Sequence, residues 1–163
     1  MTATASAHEA KGAALPLATV RELNAILPFF SSQEVEDLLP YVTQRTVAAG
    51  EGLLRDGDPA DFLGFLLAGR LAVKKETAFQ GKYILVAVIE PGGLVGELAA
   101  VEKGRRSATV VAMEECRLLL LSHDAMNRML VEKSALGIAV LKRVIHVQGH
   151  RLRQASERLS WIL

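Results

Sequence analysis

Gly96-Glu97-Leu98-Ala99, a six-residue spacer, and then Arg106-Ser107-Ala108 are the residues of this chain best placed to do chemistry. The run reads as a tight turn, a short helix and an arginine returned beside the start of that helix. A helix N-terminus presents backbone N–H groups, and its dipole favours an anion. Arg106 can add a planar, doubly donating cation at the same point. Leu98 and Ala99 are expected to supply further backbone donors, and Ala99 is small enough for a ligand to approach. Glu97 is the odd member, because a phosphate repels a carboxylate. It fits if it accepts from a neutral donor such as a sugar hydroxyl. Anion cradle, arginine and hydroxyl acceptor together describe a pocket for a nucleoside monophosphate.

The elements around this run must hold it in place. Leu17 to Leu27 reads as a short helix ended by Pro28, and Ser31 as the N-cap of a second helix reaching about Leu39. From Val42 to Leu121 short β-rich runs alternate with Gly, Asp and Pro: 44–47, 52–55, 62–67, 71–75, 83–89, 107–113 and 117–121. Seven or eight strands at this spacing predict a sandwich, roll or barrel. The short helix at Glu97 interrupts that series, which suggests a ligand. Ser122 caps a further helix. Ser134 is expected to cap a long final one running close to Leu163.

Along that last helix Ile138, Leu141, Ile145, Gln148, Leu152, Ala155, Leu159 and Ile162 recur at alternating three- and four-residue steps. This is a heptad seam, and it predicts a homodimer through residues 138–162. Gly149 is a candidate bend. The domain reading is therefore a disordered tail over 1–16, helices and β-roll over 17–133, and a lid and dimerisation helix over 134–163 of the same domain.

Composition narrows the function. The chain has 163 residues and a net charge of +1. No global basic field calls for nucleic acid, so direct DNA binding is not expected. The single cysteine, Cys116, excludes an intramolecular disulfide and a four-cysteine metal or iron–sulfur site. No apolar run reaches the ~20 residues of a membrane helix, and Met1 to Ala14 lacks the pattern of a signal peptide. These features point to the cytoplasm. His146 and His150 have a metal-ligand spacing, but Val147 stands where a zincin needs glutamate, so no metal site is expected. No nucleophile–base grouping or carboxylate pair suggests an enzyme.

The run at 96–108 resembles the phosphate-binding cassette of the cyclic nucleotide-binding domain, found in bacterial catabolite activator-like regulators, kinase regulatory subunits and gated channels. Gly96, Glu97, Leu98, Ala99, Arg106, Ser107 and Ala108 stand at the pattern's positions. The glycine-punctuated segment from Gly50 through Gly57-Asp58 to Gly69-Arg70 resembles the family's β-roll. The resemblance implies an α+β fold, an antiparallel jelly-roll-like β-roll flanked by N-terminal helices and a long C-terminal helix. It implies a regulatory module that binds a cyclic nucleotide, with no resident cofactor. It also implies that the last helix closes the pocket, forms a parallel dimer seam and passes the signal on, either to an unidentified downstream protein or to an effector domain of a longer protein.

In the family, serine at the position of Ser107 accompanies cyclic AMP, and Ser156 aligns with a position that contacts the base. Val95, Ala100 and Arg105 depart from the usual pattern, and Arg105 is expected to sit in solvent. Two other readings stand beside this one. One is a dimerisation or scaffold module with a vestigial pocket. The other is a sensor of another ligand, haem through His123 or cyclic di-GMP.

Overall fold

A computed structural model describes residues 19–161. The tail over 1–16, the predicted helix start at Leu17 and the seam position Ile162 lie outside the described residues. Helix α1 (Val20–Ile26) starts at a capping box, with the Thr19 hydroxyl accepting from Glu22 N–H and the Glu22 carboxylate accepting from Thr19 N–H. Helix α2 (Ser32–Leu38) repeats the device with Ser31 and Glu34, as the sequence predicts, and ends in a 3₁₀ turn (Leu39–Tyr41).

The β-rich middle of the chain forms eight strands: β1 (Val42–Val47), β2 (Gly52–Leu54), β3 (Phe62–Ala68), β4 (Leu71–Glu76), β5 (Tyr83–Ile89), β6 (Leu94–Val95), β7 (Thr109–Ala112) and β8 (Cys116–Ser122). They make two four-stranded antiparallel sheets, ordered β1-β8-β3-β6 and β2-β7-β4-β5. Apart from the β4–β5 hairpin, neighbours in a sheet are distant in sequence, which is the jelly-roll signature. Leu66, Leu71, Val95 and Leu118 are buried between the sheets. A second core lies under the helices, where Phe65, Leu121, Met126 and Val140 pack together. The predicted α+β roll is therefore the fold observed.

β5 is an edge strand, and Tyr83, Ile84, Leu85, Val86 and Val88 on it are all exposed. Both of its faces lack cover, so the alternation of a half-buried strand is missing there.

Helix α3 (His123–Glu132) is capped by Ser122, whose hydroxyl accepts from Ala125 N–H. Helix α4 (Ser134–Ser160) does not begin as the sequence suggested. Lys133 occupies its N-cap position without a side-chain bond, and the Ser134 hydroxyl donates back to the Leu130 carbonyl. The α3–α4 corner is too tight for a serine cap. Gly137 packs so closely on Leu130 that a Cβ there would lie 2.6 Å from Leu130 Cδ2.

The helix continues through Gly149 without interruption. A Cβ at Gly149 would meet only Arg153 Nη1, at ordinary contact distance. Gly149→Ala is therefore expected to stabilise the domain by about 0.5–1 kcal/mol, read as a higher thermal midpoint.

The heptad seam divides into two stripes. Ile138, Ile145, Leu152 and Leu159 are exposed, while Leu141 packs against the core and Gln148 bonds into it. Positions three apart on a helix differ by about 60°, so the seam straddles the boundary between the packed face and solvent. The packed face is Gly137, Val140 and Val144, and beyond Arg151 every described residue is exposed.

Candidate functional site

Gly96 sets the geometry. It follows β6 with φ +64°, in the left-handed region that glycine enters without strain. The chain then makes one 3₁₀ turn, Glu97–Ala100, in place of the expected short helix. Ala99 N–H closes that turn on the Gly96 carbonyl at 3.2 Å, so it is already engaged rather than presented to a ligand. His123 Nδ1 holds the Ala99 carbonyl at 2.8 Å and ties the turn to the start of α3.

Arg106 arrives on the loop before β7 and is 6% exposed. Its Nη1 donates to the carbonyls of Phe62 (2.9 Å) and Gly96 (3.3 Å), and its Nη2 donates to Asp61 Oδ1 (3.3 Å). The guanidinium also lies over the Phe62 ring, 4.5 Å from its centroid. Three of its five N–H donors are thus occupied. Nε–H and one Nη2–H remain, and these two nitrogens share the side-on edge that binds an oxyanion bidentately. Burial pushes the guanidinium below its ordinary pKa, and the charges of Asp61 and Glu97 pull it back up. Asp61 is 76% exposed at its side chain, so it can leave when a stronger anion enters.

Glu97 is 3% exposed and is the second buried charge. Its Oε1 accepts from Gln148 Nε2 and from Arg151 Nη1, both on α4. Arg151 Nη2 also donates to the Leu94 carbonyl at 2.9 Å. Sequence reasoning singled out neither Arg151 nor this role for Gln148. Their partner lies 54 and 51 residues away, and a heptad count treats Gln148 as a flaw in a seam.

These groups border a cavity of about 420 Å³ between the 3₁₀ turn, the β5 edge and α4. Gly96, Glu97, Leu98, Ala99, Arg106 and Ser107 all line it, so the structure brings six of the seven expected residues together. Ser156 is the exception. It is exposed, and from its stretch of α4 the cavity is lined by Gln154, Ala155 and Arg158 instead. Arg105 lines the cavity as well. It is exposed, as expected, and also donates to the Gly57 carbonyl at 2.7 Å.

The cavity is lined by the Arg106 guanidinium, the Glu97 carboxylate, the apolar side chains of Leu54, Val73, Val86 and Ala87, and the Lys75, Gln154 and Arg158 side chains. An anion, a hydroxyl-bearing ring and a flat apolar ring with polar edges each find a complementary group among them. Among the described residues, no helix is long and apolar enough to cross a membrane.

Comparison with known proteins agrees with this geometry. The chain is 32% identical over 92 residues to the cyclic AMP receptor protein of Thermus thermophilus, a stretch covering 56% of this chain and 42% of that protein. It is 40% identical over 93 residues to the acetyltransferase Pat of Mycolicibacterium smegmatis, covering 55% and 27% respectively. The chain spans less than half the length of these relatives.

The fold matches a cyclic nucleotide-binding domain from Methylobacillus flagellatus with a TM-score of 0.80 and 27% identity. That match covers 88% of this chain and 84% of the other. It also matches the Thermus thermophilus catabolite activator protein with a TM-score of 0.70 and 25% identity, covering 84% and 62%. The sequence pattern of the cyclic nucleotide-binding domain spans residues 44–133, more than half of the chain. With the cassette, the jelly roll and the long last helix in place, this chain belongs to the cyclic nucleotide-binding domain family.

Proposed function

We propose that this chain is a cyclic-nucleotide sensor that binds cyclic AMP below α4 and signals through movement of that helix. One observation carries the reading: the carboxylate suited to a ribose hydroxyl is held by two side chains of α4. A ligand that engages Glu97 changes what Gln148 and Arg151 can bond. Nucleotide and helix position are thereby linked, and the linkage is reciprocal. The Arg106 side-on edge takes the cyclic phosphate.

Adenine is favoured by the Ser107 hydroxyl through the family resemblance. It is favoured again by Gln154, since a carboxamide pairs with adenine N6 and N7 in its two-bond mode. A regulatory role is supported by the family to which the chain belongs. Homodimerisation is supported by the exposed stripe Ile138, Ile145, Leu152 and Leu159, and by the uncovered apolar edge of β5. A net charge of +1 offers little to phosphates, which favours a protein surface or a further domain over these residues as the reader of the output.

The test is calorimetric titration with cyclic AMP and cyclic GMP, combined with hydrogen exchange across residues 145–160. Saturable binding that favours cyclic AMP and alters exchange in α4 is the expected result. Absence of heat with either nucleotide, from folded protein, would overturn the reading. Binding with unchanged exchange in α4 would overturn its signalling half.

A further inference from the structure

The opposite flank of α4 carries a second and larger cavity, about 790 Å³, closed by the Pro28-Phe29 corner and the Glu90–Leu94 turn. Its polar lining is lopsided: Arg143 and Arg151, with the imidazoles of His146 and His150 beside them on α4, face one acid, Glu90. Arg143 lies over the Phe29 ring, 4.1 Å from its centroid. Its Nε is buried and has no hydrogen-bond partner. Burial lowers its pKa from the ordinary value, and no neighbouring acid pulls it back. With Nε occluded, the Nη atoms are the part of this guanidinium that an incoming acceptor meets. Apolar surface from Ile26, Pro28 and Val88 surrounds it.

Four residues, Ala87, Ile89, Arg151 and Gln154, line both this groove and the nucleotide cavity. Arg151 spans them, with Nη1 on Glu97 and Nη2 on the carbonyl of Leu94, a residue of the groove wall.

We propose that this groove is a second anion site, taking a carboxylate or phosphate monoester carried on an apolar or aromatic body, and that Arg151 couples it to the nucleotide cavity. Arg143 is the primary cation, and the apolar wall holds the organic body. Release of Arg151 from Glu97 adds its charge to the groove. A ligand hydroxyl engaging Glu97 produces that release, a step that rests on the function proposed above. The groove itself does not depend on that reading.

The experiment titrates the whole chain with phenyl phosphate in the absence of nucleotide, following the ring protons of His146 and His150 by NMR. Saturable shifts at both histidines are expected, with affinity about tenfold weaker in Arg143→Gln and also weaker for inorganic phosphate. Glu97→Gln, which without any nucleotide removes the charge that holds Arg151, is expected to tighten binding about threefold. Missing shifts, or an equal response in Arg143→Gln, would overturn the site. Inorganic phosphate binding as tightly as phenyl phosphate would overturn the ligand class. An unchanged affinity in a folded Glu97→Gln would overturn the coupling. No arm contains cyclic nucleotide, so failure here is distinguishable from failure of the sensor reading.

Discussion

Arg106→Ala is expected to weaken cyclic-nucleotide binding by at least about 100-fold, since a charge-assisted bond is worth roughly 1.5–3 kcal/mol and the side-on edge makes two. Calorimetry on wild type and variant reads the loss directly. The same change removes the Arg106 donor from the Phe62 and Gly96 carbonyls, the latter keeping only its bond from Ala99 N–H, and empties the space over the Phe62 ring. It is therefore also expected to lower stability by about 1–3 kcal/mol, visible in a thermal melt. Arg106→Lys separates the two effects. A lysine keeps the charge but cannot span two carbonyls and an oxyanion at once, so binding should fall to an intermediate level. Equal affinity in Arg106→Ala and wild type would mean that the cavity is not used for a phosphate.

Gly96→Ala is the second large effect expected, and it acts through backbone. At φ +64° an alanine pays about 1–2 kcal/mol for the left-handed conformation. Its Cβ would also sit 2.4 Å from Arg106 Nη1 and 3.2 Å from the Phe62 carbonyl. The guanidinium has to move, and it is the same guanidinium that must meet the ligand. Affinity should drop at least about tenfold with a stability loss of about 2 kcal/mol. A variant that binds normally would show that the Arg106 position is not set by this turn.

Legibility of the site followed sequence distance. The cassette could be read because Gly96 to Arg106 is contiguous, and the turn that Gly96 allows places Glu97 beside Arg106 on its own. Asp61 as the partner of Arg106 could not be read, because the β3 start meets that loop only once the roll has closed. Arg151 was hidden for a similar reason. A long helix repeats its faces every seven residues, so the pattern alone does not say which stripe meets the roll and which meets solvent. Ser156 illustrates the cost: one residue along the helix turns a side chain by about 100°, and Gln154 and Ala155 line the cavity instead. The strands were visible from their turn residues. Exposure of both faces of β5 was not, since apolar alternation carries no information about whether a sheet edge has a neighbour.

The exposed end of α4 gives the domain a mechanical property. Arg151 is the last residue of the helix bonded to the 3₁₀ turn, and the ten residues beyond it are exposed, meeting the roll only lightly where Gln154, Ala155 and Arg158 border the cavity and Arg158 Nη1 donates to the Val86 carbonyl at 3.4 Å. At 1.5 Å per residue that is a lever arm of about 15 Å, so a tilt of about 10° at its root displaces the tip by roughly 2.6 Å. The exchange of one hydrogen-bond partner at a buried carboxylate is thus converted into a displacement comparable to a side-chain radius, delivered at the exposed indole of Trp161.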